Sequence, residues 1–546
     1  MAGERRVETG QCICARLVDR DYGIYQDYVE PGLDDTDWGR AMTKLYGILL
    51  GSVAALALTG AALAADMPTK KTPPAPAATN CYASFWTWLD STPTDCPLSY
   101  MGVTVYGQID LGGGYETHAA KFNKDFPQGV NEVIGKFSDG ARWQWVPNGL
   151  SQSNVGVKIK EQVVPNWYIV GDVNLGFDPY SFQLSNGPKS LVDNNGLPYA
   201  RESANSDSSR AGQWDNTRAY IGVSNPTYGT LTFGRQYAFT NDLVGNYDPF
   251  GGAYAFSLIG FSSTVVAGTG DTETARENTS FKYQVAYNGF RAGALAQVGG
   301  WDQDNGAQAA YQADLGFDYG GLSVDAVYAY AKDAVVLKVY SASTVPTPSD
   351  KLAATLADIN AGVIAAKYKW NALTVFGGYE YARLSSPSDF DNYFPNVNGG
   401  SGNIYTLNGG YPGQIQSNVY VNSMDLQALW IGGKYAVLSN LDAVVGYYYE
   451  WQNNYTLLGS SSTTHLYNVK YQSASTLCAP ATGAPGTNYS TCAGHTDAVS
   501  GMLDWRPWKR VDVYGGVMYS EVAGGMANGY THTNNTAFTG GVRVSF

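Results

Sequence analysis

The sequence predicts an all-β fold, a 16-stranded antiparallel transmembrane β-barrel, from two observations. Apolar and polar residues alternate at period two from about Tyr100 onward, and the chain ends inside such a strand. One face of this last strand carries Phe538, Gly540, Val542, Val544 and Phe546. Terminal residues fray unless they are tied into a sheet, whereas a closed barrel pairs its last strand with its first and leaves no edge.

The composition agrees with a many-stranded barrel and argues against several other classes. Of 546 residues, 64 are Gly, 41 Tyr and 13 Trp, and charged residues make up only 15%. This mixture favours strands with aromatic ends over a helical protein. The net charge of −13 argues against a nucleic-acid surface, which normally carries a basic stripe.

Sixteen candidate strands follow from the alternation, and the segments between them alternate in length. Short turns such as Asn288-Gly289 and Trp370-Asn371 alternate with loops of roughly 15 to 45 residues, as in bacterial outer-membrane barrels. The strands are predicted near 101–111, 153–162, 166–178, 215–224, 229–237, 278–287, 290–298, 307–318, 322–331, 361–369, 372–382, 423–435, 440–451, 495–505, 509–521 and 536–546.

Each predicted strand has one face for lipid and one for water. In residues 311–319, Tyr311, Leu315 and Tyr319 share a face, while Gln312 and Asp314 lie on the other. Buried unpaired carboxylates cost several kcal/mol, so an inward face with acids predicts a wet lumen. Sixteen strands are enough to leave an aqueous channel.

The N-terminal region is predicted to be removed or to form a leader. Residues 42–64 have a basic start, an apolar core and a small-residue cleavage site, as expected for a signal peptide. Residues 1–41 then look like the product of a start codon assigned too far upstream. The alternative is a true membrane anchor behind this head. Residues 65–99 are predicted to be a Pro-rich periplasmic leader with a cysteine pair, and residues 100–546 the barrel.

The cysteine and histidine patterns indicate disulfides and no catalytic or metal site. Cys81/Cys96 and Cys478/Cys492 form two local pairs that an oxidising compartment would close as disulfides. The four histidines show no triad or metal-ligand spacing, so no cofactor is expected.

One acidic loop, residues 238–277, differs from the others. It follows the fifth strand and contains Asp242, Asp248, Asp271, Glu273 and Glu277 against a single base, Arg276. By its residues alone, such a loop either splays outward or folds into the pore.

Five segments of the chain resemble the general diffusion porins of Gram-negative bacteria. They are Asn216–Gly222, Gly234–Tyr237, Asp248–Gly252, Arg276–Ser280 and the Cys96–Gly107 region, the last of which looks like the alphaproteobacterial branch. The resemblance implies an outer-membrane homotrimer whose third external loop folds inward and narrows the channel. It also implies that Phe546 is the signal read by the barrel-assembly machinery, and that lipid, lipopolysaccharide, small polar solutes and ions are the partners.

The resemblance also implies a charged constriction. Arg218 matches a base on the channel wall, Tyr220 shares its inward face, and Lys158 is a candidate substitute for wall bases replaced by Gln108 and Asn154. On the loop, the acidic candidates are Asp242, Asp248, Glu273 and Glu277. With few wall bases and many loop acids, we expect a mild cation preference. The alternative is that these acids are only solvated loop charges.

Arg235 is a charged residue on a strand face that is predicted to contact lipid. It shares a face with Leu231 and Phe233, where arginine at mid-depth in lipid costs roughly 2–4 kcal/mol. Either the strand has ended before it, or a neighbouring subunit covers it, which makes Arg235 a trimer-interface candidate.

Three functions are compatible with the sequence. The leading prediction is passive diffusion of small hydrophilic solutes and ions through a charge-filtered pore. A solute-specific channel is the second, because inward tyrosines such as Tyr106 leave room for binding. A barrel that serves mainly as a surface adhesin is the third.

Overall fold

The structure is a computed structural model, and the part of the chain that it describes begins at Asn80. The described residues are 80–120, 132–135, 138–177, 179–180, 183–184, 213–260, 276–300, 307–337, 354–386, 388, 415–417, 420–457, 492–527 and 530–546. The predicted upstream start, the signal peptide and residues 65–79 of the leader lie outside them. Among the described helices, none has the length and hydropathy to cross a membrane.

Sixteen antiparallel strands form the barrel, as predicted. They are β1 (Val103–Ala120), β2 in two segments (Ser138–Pro147 and Asn154–Val164), β3 (Trp167–Gly176), β4 (Gln213–Asn225), β5 (Gly229–Tyr237), β6 (Arg276–Tyr287), β7 (Phe290–Gln297), β8 (Ala309–Tyr319), β9 (Leu322–Leu337), β10 (Ala354–Trp370), β11 (Leu373–Ser385), β12 (Met424–Leu438), β13 (Leu441–Gln452), β14 (Gly494–Trp508), β15 (Val511–Gly524) and β16 (Asn534–Ser545).

A few short elements accompany the barrel. Two α-helices are described, α1 (Phe85–Leu89) and α2 (Phe239–Tyr247), together with a 3₁₀ turn at Gly525–Ala527. The short strands are Leu98–Tyr100, Gln183–Leu184, Ile415–Ser417, Tyr420–Asn422 and Thr456–Leu457.

The barrel closes between its first and last strands. β1 pairs antiparallel with β16 from Gln108↔Ser545 to Glu116↔Ala537. Beyond the strand, the Phe546 amide donates to the Gly107 carbonyl at 2.9 Å, and the Gly107 amide donates back at 3.0 Å. The C-terminal residue therefore extends the closing seam, which confirms the expectation drawn from the terminal alternation.

The two faces of the strands differ as the alternation predicts. Tyr311, Leu315 and Tyr319 are exposed on the outer face of β8, whereas Gln312 between them is buried. The turn between β6 and β7 has Asn288 at φ 48° and Gly289 at φ 85°, the left-handed conformation that a two-residue hairpin of type I′ requires. Such turns fix the register and keep each apolar row on the lipid side.

The second strand is longer than predicted. Besides Asn154–Val164, which pairs with the start of β1, the segment Ser138–Pro147 pairs with Leu111–Ala120. This half of β1 contains Gly112-Gly113-Gly114, and glycine has no side chain to reveal an alternation. The alternation of apolar and polar residues in β1 is therefore interrupted at these glycines, although the backbone hydrogen bonding of the strand continues to Ala120.

The barrel interior is partly dry, which corrects the expectation of a uniformly wet lumen. Inward side chains of β7, β9, β10 and β12–β15 pack with the segment after β5 in one apolar cluster. Its larger strand members are Leu295, Val327, Val363, Trp430, Val444, Tyr448, Met502, Tyr514, Met518 and Val522. The residues next to them in sequence point outward and form the lipid-facing surface, so the strand alternation is preserved.

The described part of the leader is folded. Cys81 and Cys96 form the predicted disulfide around α1. Cys492 is also disulfide-bonded, while Cys478 lies outside the described residues. The linker-like composition of the leader did not reveal this small closed loop.

Candidate functional site

The segment after β5, residues 238–260, begins with α2. The helix carries an apolar stripe made of Phe239, Leu243, Val244 and Tyr247, all buried, with spacings of three and four residues. Asp242 lies in its first turn, where a carboxylate interacts favourably with the positive end of the helix dipole. The stripe turns one side of the helix toward the barrel wall.

Contacts of α2 place it against inward residues of β7, β8, β9 and β12. The Phe239 amide donates to Gln312 Oε1 at 2.7 Å, and the Tyr247 hydroxyl lies 2.8 Å from Ser323 Oγ. Trp430 donates its indole N–H to the Tyr247 carbonyl at 3.1 Å. A side chain on Gly293 would overlap the Phe239 ring, so only glycine admits the helix so close to β7.

The turn after α2 is organised by Asp248. Its Oδ2 accepts from the amides of Phe250 and Gly252 at 3.1 and 2.8 Å, and its Oδ1 accepts from the Tyr448 hydroxyl at 2.5 Å. Gly251 and Gly252 have φ of 66° and 79°, which β-carbon-bearing residues rarely adopt. Asp248 lies on this segment, outside the strands, and its burial raises its pKa to about 6. Only 2% of the residue is exposed, so the pore-facing charge expected of Asp248 is not observed.

The rest of the segment crosses to the far side of the barrel. Phe256 lies edge-on to Tyr514 of β15 with ring centroids 6.2 Å apart. The Ala255 amide donates to the carbonyl of Gly149, between the two segments of β2, at 2.9 Å. Residues 238–260 therefore line the interior from β7 to β15 and return beside β2.

The interior wall of β1–β4, in contrast, carries a polar cluster, here called the Arg218 cluster. Arg218 Nη2 lies 2.9 Å from the Tyr106 hydroxyl and 3.3 Å from Asp172 Oδ2. The Tyr106 hydroxyl donates to Asp172 Oδ1 at 2.5 Å and accepts from Asn174 Nδ2 at 3.1 Å. The register places Tyr220 directly opposite Asp172 and Arg218 opposite Asn174.

Aromatic rings hold the cations of this cluster. Lys158 Nζ lies 4.1 Å from the Tyr106 ring centroid, and the guanidinium carbon of Arg218 lies 4.7 Å from that of Tyr237. Arg276 approaches the same Tyr237 ring at 5.5 Å. Cations at such distances are attracted to the ring face by about 0.5–1 kcal/mol at exposed sites, more when desolvated. Sequence reasoning brought Arg218, Lys158 and Tyr220 to this wall, and the structure places them in one neighbourhood.

Asp242 is paired with a lysine and Glu277 is buried, so neither is a solvated loop acid. Lys282 Nζ, on the inner face of β6, lies 2.5 Å from Asp242 Oδ2 and also donates to the Tyr237 carbonyl at 2.8 Å. Glu277 is buried and lies within β6, because that strand begins at Arg276. The predicted loop 238–277 therefore ends earlier, and its Glu273 lies outside the described residues.

Sequence reasoning missed Asp172 and Lys282. Both lie on the inward faces of their strands, a signal that the alternation does contain. Their partners are Arg218, which lies 46 positions after Asp172, and Asp242, which lies 40 positions before Lys282, so no local pattern joins them.

Arg235 has a partner within the chain. β5 continues to Tyr237, so the explanation that the strand ends before Arg235 is wrong. Arg235 Nη1 donates to Asn278 Oδ1 at 2.6 Å, beside the register shift between β5 and β6. Contact with a neighbouring subunit stays a prediction.

Comparisons with known proteins agree with this architecture. A family model described as Gram-negative porin matches residues 51–524. An outer membrane porin protein of Bordetella pertussis is 28% identical over 204 residues, which are 37% of this chain and 44% of that protein, so the match spans less than half of its length.

Solved structures that align with this chain have low sequence identity. An anion-selective porin from Comamonas acidovorans aligns with a TM-score of 0.48 and 14% identity, over 81% of this chain and 99% of that chain. The trimer form of the outer membrane protein OmpT of Vibrio cholerae aligns with a TM-score of 0.46 and 13% identity, over 81% and 99%. Because the family model covers most of the sequence, the chain belongs to the Gram-negative porin family.

Proposed function

We propose that this protein lets small hydrophilic solutes and ions diffuse passively across the outer membrane. The passage runs between the 238–260 segment and the Arg218 cluster. The 238–260 segment acts as the inward-folded third external loop that the resemblance implied. No chemical step is involved: the width of the passage excludes large solutes, and charged groups on its walls sort ions.

The observation that carries this proposal is the asymmetry of the barrel interior. The 238–260 segment packs on the inner faces of β7, β9, β10 and β12–β15 and narrows the barrel from that side. The inner faces of β1–β4 keep an exposed Lys158 and a partly exposed Arg218, as expected for groups in contact with water.

The ionic preference is proposed to be weakly cationic. Arg218 is neutralised by Asp172, and Lys282 by Asp242, so each pair adds little net field to the passage. The burial of Asp248 and Glu277 removes two of the acids expected there. The remaining support is the formal net charge of −10 on residues 65–546, from 28 Lys and Arg against 38 Asp and Glu, which favours only a weak preference.

Planar-bilayer recording tests this function. The purified protein should give ohmic single-channel steps in KCl that do not saturate with salt. In a KCl gradient, the reversal potential should have the sign of a slight preference for K⁺. Absence of channel activity in protein that retains its heat-resistant β-sheet signal would contradict the porin function.

A solute-specific channel is the second candidate, because aromatic rings and cations line the same wall. Its binding site would need polar groups that are free to bind the solute. The Tyr106 hydroxyl already takes part in hydrogen bonds with Arg218, Asp172 and Asn174. This internal pairing favours general diffusion, and a current blocked by one class of solute would favour the specific channel. The adhesin interpretation has no supporting contact among the described residues, and the predicted loops on which it depends lie largely outside them.

The remaining partners are proposed on family grounds. We infer a homotrimer in the outer membrane, assembled by the barrel-assembly machinery and in contact with phospholipid and lipopolysaccharide. Phe546, which extends the β1–β16 seam, is proposed as the assembly signal, and Arg235 as a residue of the subunit interface.

A further inference from the structure

The disulfide-closed loop Cys81–Cys96, here called the cap, is fixed to the turn between β14 and β15. Arg510 of that turn is almost completely buried by it. Its guanidinium donates to the carbonyls of Trp88 at 2.9 Å, Thr92 at 3.2 Å and Cys96 at 2.7 Å. The Trp88 ring lies 4.4 Å from the guanidinium carbon. Three carbonyl acceptors and one ring face hold the cap in a defined position.

The cap lies on the outer, lipid-facing side of the barrel rim. Val511 lies on the outer face of β15. It pairs with Val544 of β16, which shares the outward face of that strand with Val542. Val542 is 41% exposed, whereas Val511 is only 8% exposed. Beside Val511, the Arg510 amide donates to the carbonyl of Leu89, which is buried at the end of α1. The cap therefore covers the outer surface at this point.

The free side of the cap is aromatic. Tyr82, Phe85 and Trp86 are 59%, 63% and 63% exposed, and α1 contains no charged residue. Trp86 lies 5.8 Å from Trp508, and Trp505 and Leu503 continue the exposed row along the outside of β14. The aromatic patch is thus continuous with the surface that β14 presents to the hydrocarbon.

We infer that the cap inserts Phe85 and Trp86 into the headgroup region of the periplasmic leaflet, with phospholipid as the partner. Short turns of outer-membrane barrels lie on the periplasmic side, and the two-residue turn Lys509–Arg510 between β14 and β15 is such a turn. Tryptophan and tyrosine prefer this zone because their rings are apolar at one end and polar at the other. The disulfide and Arg510 hold the aromatic side chains at the rim, where they extend the aromatic girdle outward.

Photocrosslinking in intact outer membranes tests this inference. Phe85 is replaced by p-benzoyl-phenylalanine in the full-length protein, which is irradiated in the membrane and analysed by mass spectrometry. The expected product is a covalent phospholipid adduct. The control carries the same residue at Asp90, an exposed position beyond the end of α1 and outside the patch, where the adduct yield should be several-fold lower.

Each other outcome overturns the inference. Crosslinking of position 85 to a second copy of the chain would assign the patch to a subunit interface. Crosslinking to another protein would assign it to a periplasmic partner, and equal lipid adducts at positions 85 and 90 would show no specific insertion. Single-channel conductance of Phe85→Ser should equal that of the parent, because the cap lies outside the barrel, so this test is independent of the pore proposal.

Discussion

Two parts of the barrel interior share the same strand alternation, but one is packed with apolar side chains and the other is lined by charged and polar ones. On β7, β9, β10 and β12–β15, inward residues pack against the 238–260 segment in an apolar cluster that includes Trp430 and Tyr448. On β1–β4 the inward residues form the Arg218 cluster, in which charged and polar groups bind one another beside water. The difference shows that a strand's parity determines which side chains point into the barrel, while packing against the 238–260 segment keeps one set of them away from water.

Two loop acids provide the sharpest way to break this comparison. Asp248→Ala removes three hydrogen bonds from a buried carboxylate and leaves the Tyr448 hydroxyl without this acceptor. We expect the free energy of unfolding to fall by about 2–4 kcal/mol. Asp242→Ala breaks a pair in which the carboxylate is 35% exposed and Lys282 is 7% exposed, but Lys282 keeps the Tyr237 carbonyl as an acceptor, so we expect a smaller loss of about 1–2 kcal/mol. Urea unfolding in detergent compares the two variants.

Selectivity should show the reverse order for the same two variants. Asp242→Ala removes the exposed carboxylate of the pair and leaves the positive charge of Lys282 uncompensated, so the reversal potential should shift toward Cl⁻. Asp248→Ala should shift the reversal potential less than Asp242→Ala does, because the Asp248 carboxylate is buried away from the passage. Equal effects on stability would contradict the division into a packed and an open side.

A larger side chain behind the packed segment should loosen it. A Cβ at Gly378 would overlap the Trp430 indole, whose N–H donates to the Tyr247 carbonyl. We expect Gly378→Leu to destabilise the protein by about 1–3 kcal/mol, as overpacking does, and to raise single-channel conductance. Gly362→Leu is the matched control, since a Cβ at this outward glycine of β10 meets nothing within 4 Å. An unchanged conductance in Gly378→Leu would argue that Trp430 does not hold the segment.

On the inner wall of β1–β4, removal of a single charge should change the ion selectivity but hardly change the free energy of unfolding. Lys158→Gln removes an exposed cation that lies over Tyr106. The expected change in unfolding free energy is within about 0.5 kcal/mol, and the reversal potential in a KCl gradient should shift toward K⁺. Lys509→Gln removes the same charge from an exposed turn and should leave the reversal potential unchanged. The proposed course of the passage fails if both variants shift it equally.

The smallest expected effect concerns the outer surface. If a neighbouring subunit covers Arg235, Arg235→Leu should lower by several degrees the temperature at which trimers dissociate in detergent. Arg383→Leu serves as the control, because this outward arginine of β11 is paired with Asp425 at 2.8 Å within its own subunit. Heat resistance that is equal in the parent and in Arg235→Leu would remove Arg235 from the interface.

The sequence predicted the barrel well because its determinants are local. Alternation at period two, turns such as Asn288-Gly289 and the terminal strand are each visible within a dozen residues. They predicted all sixteen strands and the closure by β16. The predicted end of β1 at residue 111 was too early because three consecutive glycines follow it, and the Ser138–Pro147 segment that pairs with this part of β1 was missed.

The site was predicted only in part because it depends on contacts between distant residues. Parity placed Arg218 and Lys158 inside, but nothing near Asp248 in the sequence indicates that Tyr448 will bury it. Gly432 and Gly446 looked like ordinary strand glycines, yet both lie under Pro249, where a Cβ would come within about 3 Å of its ring. On β7, β9, β10 and β12–β15, the inward positions of the large apolar cluster are dry because the 238–260 segment packs on them, and no local pattern encodes the path of that segment.

Cysteine accessibility during conduction tests the asymmetric interior most directly. Lys158→Cys and Ala365→Cys place a thiol on the open wall and behind the 238–260 segment, respectively. A charged, membrane-impermeant methanethiosulfonate added to the open channel should react at position 158 and reduce the current, while position 365 stays unmodified. Rapid reaction at position 365, or no change in current after complete modification at position 158, would contradict the account.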